Sequence, residues 1–350
     1  MPKPRNSENK GLPVRWKKAH GAYYYNVPVG LEALWDGKKL FRLGKTLPEA
    51  YKEWAKRLEN LDKANTIAQL LDRYSLEVIP TKAIATQSGN VREIKNLRAV
   101  FGHMALTAIQ PQDIYKYADK RGAKNRGRKE IALLSHAFTK AVEWGYINRH
   151  PFKGEVRLQI GKPRTRYIED WELNEALLLS APKEKGGVAM VQAYIQLKLM
   201  LGLRQGDMLR LKEADIQEDG IHVTPNKTKN STGKSIIYEW SDDLRLAVEK
   251  VRSTRPPDIS KWLFCDRFGK CYINEETGKA EGWSSIWQRF MERVLAETKV
   301  KDRFTEHDLR AKVASDAVDV ERARELLSHS DSKITERVYR RKAIIIKPSK

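Results

Sequence analysis

The sequence predicts a mainly α fold with small β-sheets, an α+β architecture of two or three domains. Apolar residues recur at helical spacing through most of the chain after residue 65. Short strand-like runs occur near the N-terminus and around residues 220–238, where glycines and turn residues separate them. The 350 residues, 41% of them hydrophobic, are enough to bury more than one core.

The charge of the chain indicates a polyanionic partner. Lysine and arginine number 66 against 45 acidic residues, a formal net charge of +21. We find no basic amphipathic anchor for a membrane surface. The N-terminus lacks the apolar stretch of a signal peptide, and no apolar run is long enough to cross a bilayer. We therefore expect a cytoplasmic protein that binds nucleic acid.

The cysteine content argues against a metal site. Cys265 and Cys271 have no cluster of His or further Cys beside them, whereas a structural zinc ion needs about four ligands. We expect reduced structural thiols and no metal or other cofactor.

Residues 1–62 are expected to form a basic arm and a small sheet with one helix. Residues 1–11 are polar and basic, which is typical of a mobile arm. The strand-like runs cover residues 14–16, 22–27 and 39–43. Thr46 and Pro48 then open a helix by a hydroxyl cap and an early proline. Such a unit could lay its strands in a DNA groove; alternatively, its aromatic residues form the core of an accessory fold.

Residues 65–160 read as a helical domain. Helices are expected from Thr66 through Tyr74, over 90–101, after a cap at 111–113, and over 129–144 with a stop at Gly145. Residues 120–129 read as a loop with six cations and no acid: Lys120, Arg121, Lys124, Arg126, Arg128 and Lys129. A solvated loop is one reading of this basic run, and contact with DNA phosphates is the one we favour.

A polar, basic linker at 161–166 leads to a third domain, residues 165–350. Its pattern predicts helices over 169–179, 188–201, 244–251, 283–295, 308–318 and 321–327, with strands at 220–224 and 235–238. Residues 225–234 join the two strands.

Five side chains of this third domain have the chemistry needed to attack a phosphodiester. They are Arg204, His307, Arg310, His329 and Tyr339. Arginines bind phosphate oxygens in a fork and neutralise charge that grows in the transition state, and a tyrosine can act as a covalent nucleophile. His307 and Arg310, three positions apart at the start of a helix, share one face.

The order of these residues resembles the tyrosine recombinase (phage integrase) family, whose pattern is Arg … Lys … His-x-x-Arg … His … Tyr. The resemblance spans roughly residues 165–345. It implies a catalytic domain over 165–350. It also implies a helical core-binding domain over 65–160, whose last helix leads to the segment 147–152, and an arm-type DNA-binding domain within 1–62.

The resemblance also implies a lysine general acid on the hairpin between the two strands. Lys227 follows the first strand and matches the family position best, while Lys229 and Lys234 are alternatives. A lysine at this tip could protonate the departing 5′-oxygen.

The sequence departs from the family pattern at three points. Asp207 stands where the family more often has Glu, and we expect it to support and orient the Arg204 guanidinium rather than bind metal. Ser328 replaces the usual Gly before His329. The spacing from Arg310 to His329 is shorter than is common, by about one helical turn.

The function implied is that of a site-specific recombinase, an integrase of a phage or genomic island. It is expected to cut double-stranded DNA attachment sites through a 3′-phosphotyrosine without metal or ATP. A monomer in solution would assemble as a homotetramer on DNA, pass through a Holliday junction and use DNA-bending accessory proteins. The alternatives are an Xer-like recombinase, a transposon resolvase, a type IB topoisomerase, or a non-catalytic DNA-binding regulator with the same fold. The apolar run 343–346 is expected to pack as a strand, on its own domain or on a neighbour.

Overall fold

The computed structural model describes residues 9, 12–13, 15–59, 64–159, 161–226, 233, 235–256, 260–275, 277–329 and 331–343. They divide into two compact units, Met1–Gly161 with Glu275–Gly278, and Lys162–Asn274 with Lys279–Lys350. The predicted fold class is confirmed, because helices dominate and the named strands form two small antiparallel sheets. The three domain boundaries expected from the sequence stay a prediction.

The first unit begins with a three-stranded antiparallel sheet in the order β1-β2-β3. Its strands and the following helix are β1 Trp16–Ala19, β2 Ala22–Asn26, β3 Leu40–Gly44 and α1 Leu47–Glu59. Thr46 and Glu49 exchange hydrogen bonds at the start of α1, as expected of a capping hydroxyl. The first strand begins later than predicted, because Arg15 has a φ of +70°, which is incompatible with extended backbone.

The two faces of this sheet differ in character. One row across the strands consists of Trp16, Tyr25 and Phe41, all buried in the core with Trp35. The neighbouring row consists of Lys17, Tyr24 and Arg42, which alternation places on the opposite face. Most aromatic residues of this sheet and helix therefore form a core, and Tyr24 lies between two cations on the outer face.

The helical part of the first unit has its own apolar core. Its helices are α2 Ile67–Arg73, α3 Ile84–Phe101, α4 Pro111–Lys120 and α5 Lys124–Glu143. Thr66 and Gln69 form a capping box at the start of α2, and Pro111 occupies the first turn of α4. Leu70, Leu97, Leu134 and Phe138 meet in the centre of this core.

The basic run 120–129 is mostly helical, which corrects its reading as a loop. Only residues 121–123 lie between α4 and α5, because lysine and arginine are good helix formers and one internal glycine is tolerated. Arg121 donates Nε and Nη2 to the buried Glu130 at 2.9 and 3.0 Å, so its guanidinium is held within the protein. The other cations of the run are exposed and form no ion pair within the described part of the chain: Lys120, Lys124, Arg126, Arg128 and Lys129.

The second unit is helical with a two-stranded antiparallel sheet. Its elements are α6 Asp170–Leu178, α7 Gly187–Leu201, α8 Gln205–Met208, β4 Gly220–Val223, β5 Ile236–Glu239, α9 Asp242–Thr254, α10 Glu281–Glu297, α11 Glu306–Asp316, α12 Val320–Leu326 and α13 Ser332–Ile334. A π-helical turn, Thr335–Tyr339, follows α13.

Helix α7 is the central element of this unit and packs against α9, α10 and α11. Lys198 is its one charged residue, and apolar residues such as Val191, Ile195 and Leu197 are fully buried. Arg310 in α11 donates to the carbonyl of Gly202, directly after the C-terminal end of α7. This contact brings together the two segments that carry Arg204 and Arg310. None of the helices in the described ranges is long and apolar enough to span a membrane.

Candidate active site

The second unit contains a cavity of about 540 Å³ that brings together four of the predicted residues. Arg204, His307, Arg310 and Tyr339 line it, although up to 135 positions separate them in the sequence. His329 lies behind the cavity, against Arg310 and Tyr339. These contacts gather two guanidiniums, two imidazoles and a phenol at one site.

The Arg310 guanidinium is buried and held by backbone carbonyls. It donates to the Gly202 oxygen and, through Nη2, to the Leu327 oxygen at 2.6 Å. Gly202 ends α7 with a φ of +59°, and a Cβ there would lie 3.1 Å from Leu327, so glycine allows this close approach. Burial and the positive charge of Arg204 lower the pKa of Arg310 to about 10. An anion in the cavity would relieve this uncompensated charge.

His329 is oriented by hydrogen bonds at both ring nitrogens. Arg310 Nη2 donates to Nε2 at 3.1 Å, which leaves the proton on Nδ1 for donation to Thr335 Oγ1 at 2.8 Å. Ser328 has a φ of +49°, in the left-handed region where the family more often has glycine. Despite the shorter spacing from Arg310, the imidazole reaches the guanidinium. Its Nε2 is an acceptor here, so donation to a phosphate would require a different protonation state.

Tyr339 lies between the two imidazoles. Its ring centroid is 5.0 Å from His307 and 4.8 Å from His329, and the Arg310 guanidinium carbon is 5.5 Å from it. The side chain is 8% exposed although it ends a short π-helical turn. The ring is therefore fixed on three sides, with cationic and imidazole groups around the phenol.

The backbone on both sides of this phenol is anchored to α11. Ser315 Oγ donates to the backbone carbonyl oxygen of Tyr339 at 2.9 Å and accepts from the backbone amide of Arg341 at 2.7 Å. Arg341 Nη1 pairs with the fully buried Asp308 at 2.6 Å. The Thr305 cap and the Arg341 pair outweigh burial and lower the pKa of Asp308. We call Ser315, Arg341 and Asp308 the clasp.

His307 occupies the first turn of α11, beside the clasp. A capping box of Thr305 and Asp308 starts this helix, which explains why His307 and Arg310 face one cavity. Desolvation, followed by the charges of Arg341 and Arg310, lowers the pKa of His307 below its ordinary value. The imidazole is therefore neutral at pH 7 and can accept a proton.

Arg204 and Asp207 do not form the pair expected from the sequence. Arg204 precedes α8, and no acceptor within the described ranges bonds its guanidinium, which faces the cavity. The buried Asp207 instead accepts the Asn226 amide at 2.9 Å through Oδ1. The reason is geometric: Asp207 lies within the single turn of α8, beside the end of β4. It thus holds Asn226, near the start of the hairpin loop.

The candidate lysines of that loop lie outside the described residues. Lys227, Lys229 and Lys234 all lie in this undescribed part of the loop, so their positions stay a prediction. The strands that carry the loop are paired from Gly220–Glu239 to Val223–Ile236. Tyr238 donates to the Leu326 oxygen at 3.3 Å, which ties the hairpin to α12.

Sequence reasoning missed a buried polar cluster at the cavity wall. The Glu306 carboxylate accepts from Tyr194, from Gln205 Nε2 at 2.6 Å and from Trp283 Nε1 at 3.0 Å. Lys198, 1% exposed, donates Nζ to the Tyr194 hydroxyl at 3.1 Å and also lines the cavity. The signal available was a lone charge in the apolar helix α7. In the described ranges, no group of three or more His, Cys, Asp or Glu could hold a metal ion.

Comparison with known proteins finds a family match over most of the second unit. The model of the phage integrase family matches residues 172–344. A XerC-like tyrosine recombinase of Caldanaerobacter subterraneus subsp. tengcongensis is 23% identical over 91% of this chain and 93% of its own. A candidate integrase/recombinase of Haemophilus influenzae is 23% identical over 51% of this chain, and the match spans 60% of that relative.

The fold is similar to solved integrase structures. A lambda integrase dimer bound to a COC′ core site has a TM-score of 0.63 at 19% identity, covering 97% of this chain and 99% of that chain. The Tn1549 transposon integrase, residues 82–397, in complex with circular intermediate DNA, has a TM-score of 0.60 at 14% identity, covering 78% and 94%. At these identities the likeness concerns the fold.

Proposed function

We propose that this chain, as a member of the phage integrase family matched over residues 172–344, breaks and rejoins DNA through a covalent phosphotyrosine at Tyr339. The observation that carries this proposal is the single cavity shared by Tyr339, Arg204 and Arg310. A phosphodiester there would meet the phenol and both guanidiniums together. The uncompensated positive charge of the cavity favours that anion.

The covalent step forms a bond between the phenolic oxygen of Tyr339 and phosphorus, and it breaks the bond from phosphorus to the 5′-oxygen. Neutral His307, whose ring packs on the phenol, accepts the phenolic proton. Arg204 and Arg310 neutralise the charge that develops on the non-bridging oxygens. The 3′-phosphotyrosine conserves the energy of the broken bond, so rejoining by a 5′-hydroxyl uses neither metal nor ATP.

The leaving 5′-oxygen needs a proton, and we assign this role to Lys227. Its neighbour Asn226 is hydrogen bonded to Asp207, three positions after Arg204. Asp207 would thus fix the base of the lysine loop beside the short helix that follows Arg204. Lys229 and Lys234 are the alternatives in the same loop.

The partner we propose is double-stranded DNA at attachment sites. In the first unit, Lys124, Arg126 and Arg128 are exposed without ion pairs in the described ranges, as phosphate contacts require. Arg121 is not in this set, because Glu130 holds it. The row of Lys17, Tyr24 and Arg42 is the surface we propose for a second, arm-type DNA site.

We further propose an integrase of a phage or genomic island that assembles as a tetramer on DNA and passes through a Holliday junction. Such a tetramer on a Holliday junction has been solved for lambda integrase, whose chain is 18% identical to this one with a TM-score of 0.62. The sheet and helix before α2 favour an integrase over a plainer recombinase. The XerC-like relative, which matches most of the chain, keeps an Xer-like role as the second candidate.

The experiment that tests this proposal traps the covalent intermediate. Wild-type protein on a nicked suicide substrate should give a protein–DNA adduct, and Tyr339→Phe should bind the same DNA without forming one. Tyr167→Phe is the matched control, because that phenol lies in the same unit but bonds Asp316 rather than lining the cavity. An adduct of undiminished yield with Tyr339→Phe would show that another residue is the nucleophile.

A further inference from the structure

Lys198 is an unusual residue for its position. It is the single charged residue of α7, and its side chain is buried among the apolar residues of that helix. It nevertheless lines the same cavity as Arg204, His307 and Arg310. It also lies one helical turn before Gly202, whose carbonyl holds the Arg310 guanidinium. A buried ammonium is costly unless an anion or several acceptors satisfy it.

The acceptors around Lys198 are too few. Nζ has three protons and donates to the Tyr194 hydroxyl, whose ring lies 5.1 Å away. No carboxylate of the described ranges lies within ion-pair distance of it. Glu306 is the nearest candidate, but its oxygens already accept from Tyr194, Gln205 and Trp283. The ammonium therefore lacks a counter-ion on the side that faces the cavity.

The charged groups around Lys198 agree with this description. Burial lowers the pKa of its ammonium to about 8, with Glu306 and Asp207 opposing the shift and Arg310 adding to it. The other ionisable groups that line the same cavity are Arg204, Arg303, His307 and Tyr339, and Tyr194 is the hydrogen-bond partner of the amine. Near neutral pH the amine is protonated but close to losing its proton. A bound anion would raise its pKa again.

We propose that Lys198 is a second active-site lysine, whose ammonium binds a non-bridging oxygen of the scissile phosphodiester beside Arg204 and Arg310. The proposal rests on the proposed recombinase function and adds a residue to it. The phosphate supplies the missing counter-ion, and the neighbouring guanidiniums place it within the same cavity. Lys198 would thus act on the charge of the phosphate, whereas Lys227 would act on the leaving oxygen.

The test uses the full-length protein and compares cleavage of three suicide substrates. They carry at the scissile position a phosphodiester, an uncharged methylphosphonate, or a phosphodiester with a 5′-bridging sulfur. Lys198→Met should lower the rate of adduct formation on the phosphodiester by about 100- to 1,000-fold, the usual effect of removing one such donor. On the methylphosphonate, Lys198→Met and wild type should agree within about threefold, since the group has lost its partner charge. The 5′-sulfur should not restore Lys198→Met.

Lys312→Met is the matched control. Lys312 is also a buried lysine of this unit, but it pairs with Asp170 and Asp316 and does not line the cavity. Its loss should affect the charged and uncharged substrates equally. If Lys198→Met forms the adduct on the phosphodiester as fast as wild type, the proposal is overturned. An equal deficit on the charged and uncharged substrates would also overturn it, because that result indicates a structural role. Rescue by the 5′-sulfur would overturn it in favour of a leaving-group acid.

A second measurement covers the case in which Lys198→Met does not fold. Calorimetry of DNA binding at pH 8.5, in buffers of different ionisation enthalpy, should show proton uptake by wild type that Lys198→Arg lacks, because arginine stays protonated. Equal uptake by both would overturn the proposal. Failure of the recombinase function itself is distinct: wild type would then form no adduct on any of the three substrates.

Discussion

The clasp predicts how firmly the nucleophile segment is held in its own active site. Arg341 follows Tyr339 by two residues, and its side chain is 3% exposed in an ion pair with Asp308, which is 0% exposed. It also donates to the Val338 and Arg166 oxygens. Arg341→Met keeps an unbranched side chain and removes all of these side-chain bonds. Asp308 is then left with Thr305 and the half-exposed Arg164 as partners.

The magnitude follows from the burial of the pair. Removing one partner of a buried ion pair costs about 3–5 kcal/mol. Because Thr305 and Arg164 still stabilise Asp308, we expect the lower end, about 3 kcal/mol. At 1.36 kcal/mol for each factor of ten, that corresponds to roughly 100-fold faster hydrogen exchange by local opening. The amides affected are those of Thr335–Tyr339 and of α11.

The assay is hydrogen exchange followed by mass spectrometry, with Arg340→Met as the matched control. That change removes the same charge next to Tyr339, but the Arg340 side chain has no partner within the described ranges. The Asp308 pKa is lowered, so its stabilisation is present above the unfolded pKa of about 3.9 and lost as pH falls through the folded value. The difference between Arg341→Met and wild type should therefore persist from pH 7 to about 5 and shrink below about 4.

Two results would refute this reasoning. One is exchange in Arg341→Met that equals exchange in Arg340→Met at pH 7. The other is a double-mutant cycle with Asp308→Asn in which the two effects simply add, since a direct ion pair requires coupling.

Four further predictions concern other parts of the chain. Lys227→Ala should cleave slowly and recover with a 5′-bridging sulfur, whereas selective recovery of Lys229→Ala instead would reassign the acid. Ser328→Gly should raise the free energy of unfolding by about 0.5–1 kcal/mol in urea titrations, because φ there is +49°, while Ser328→Ala should give no gain. A fragment of residues 65–350 should cleave core-site DNA but lose affinity for a distal site; intact binding of two sites by band shift would contradict an arm-reading role. Truncation after Lys342 removes the apolar tail, of which the structure describes only Ala343, and should weaken recombination of two full sites while sparing single-site cleavage. Equal recombination by the truncated protein would assign the tail to local packing.

Much of the site could be predicted from the sequence because its information is local. His307 and Arg310 share a face since a threonine cap starts their helix three residues before Asp308. Helix boundaries near Thr46 and Thr66 follow in the same way from hydroxyl caps, whose effect depends on residues within one turn. The cap at Thr305 starts α11 two residues before the boundary predicted at 308.

What could not be predicted depends on contacts between distant segments. Asp207 bonds Asn226 rather than Arg204, and Arg121 is held by Glu130, because packing decides which of several nearby groups meet. Lys198 illustrates the limit. In the sequence it is one lysine among many, and its depressed pKa and place in the cavity arise only when α7 is buried against α11. Burial is a property of the assembled core: periodicity can indicate that α7 is buried, but which charged groups of other helices surround its one lysine is set by packing across more than a hundred intervening residues.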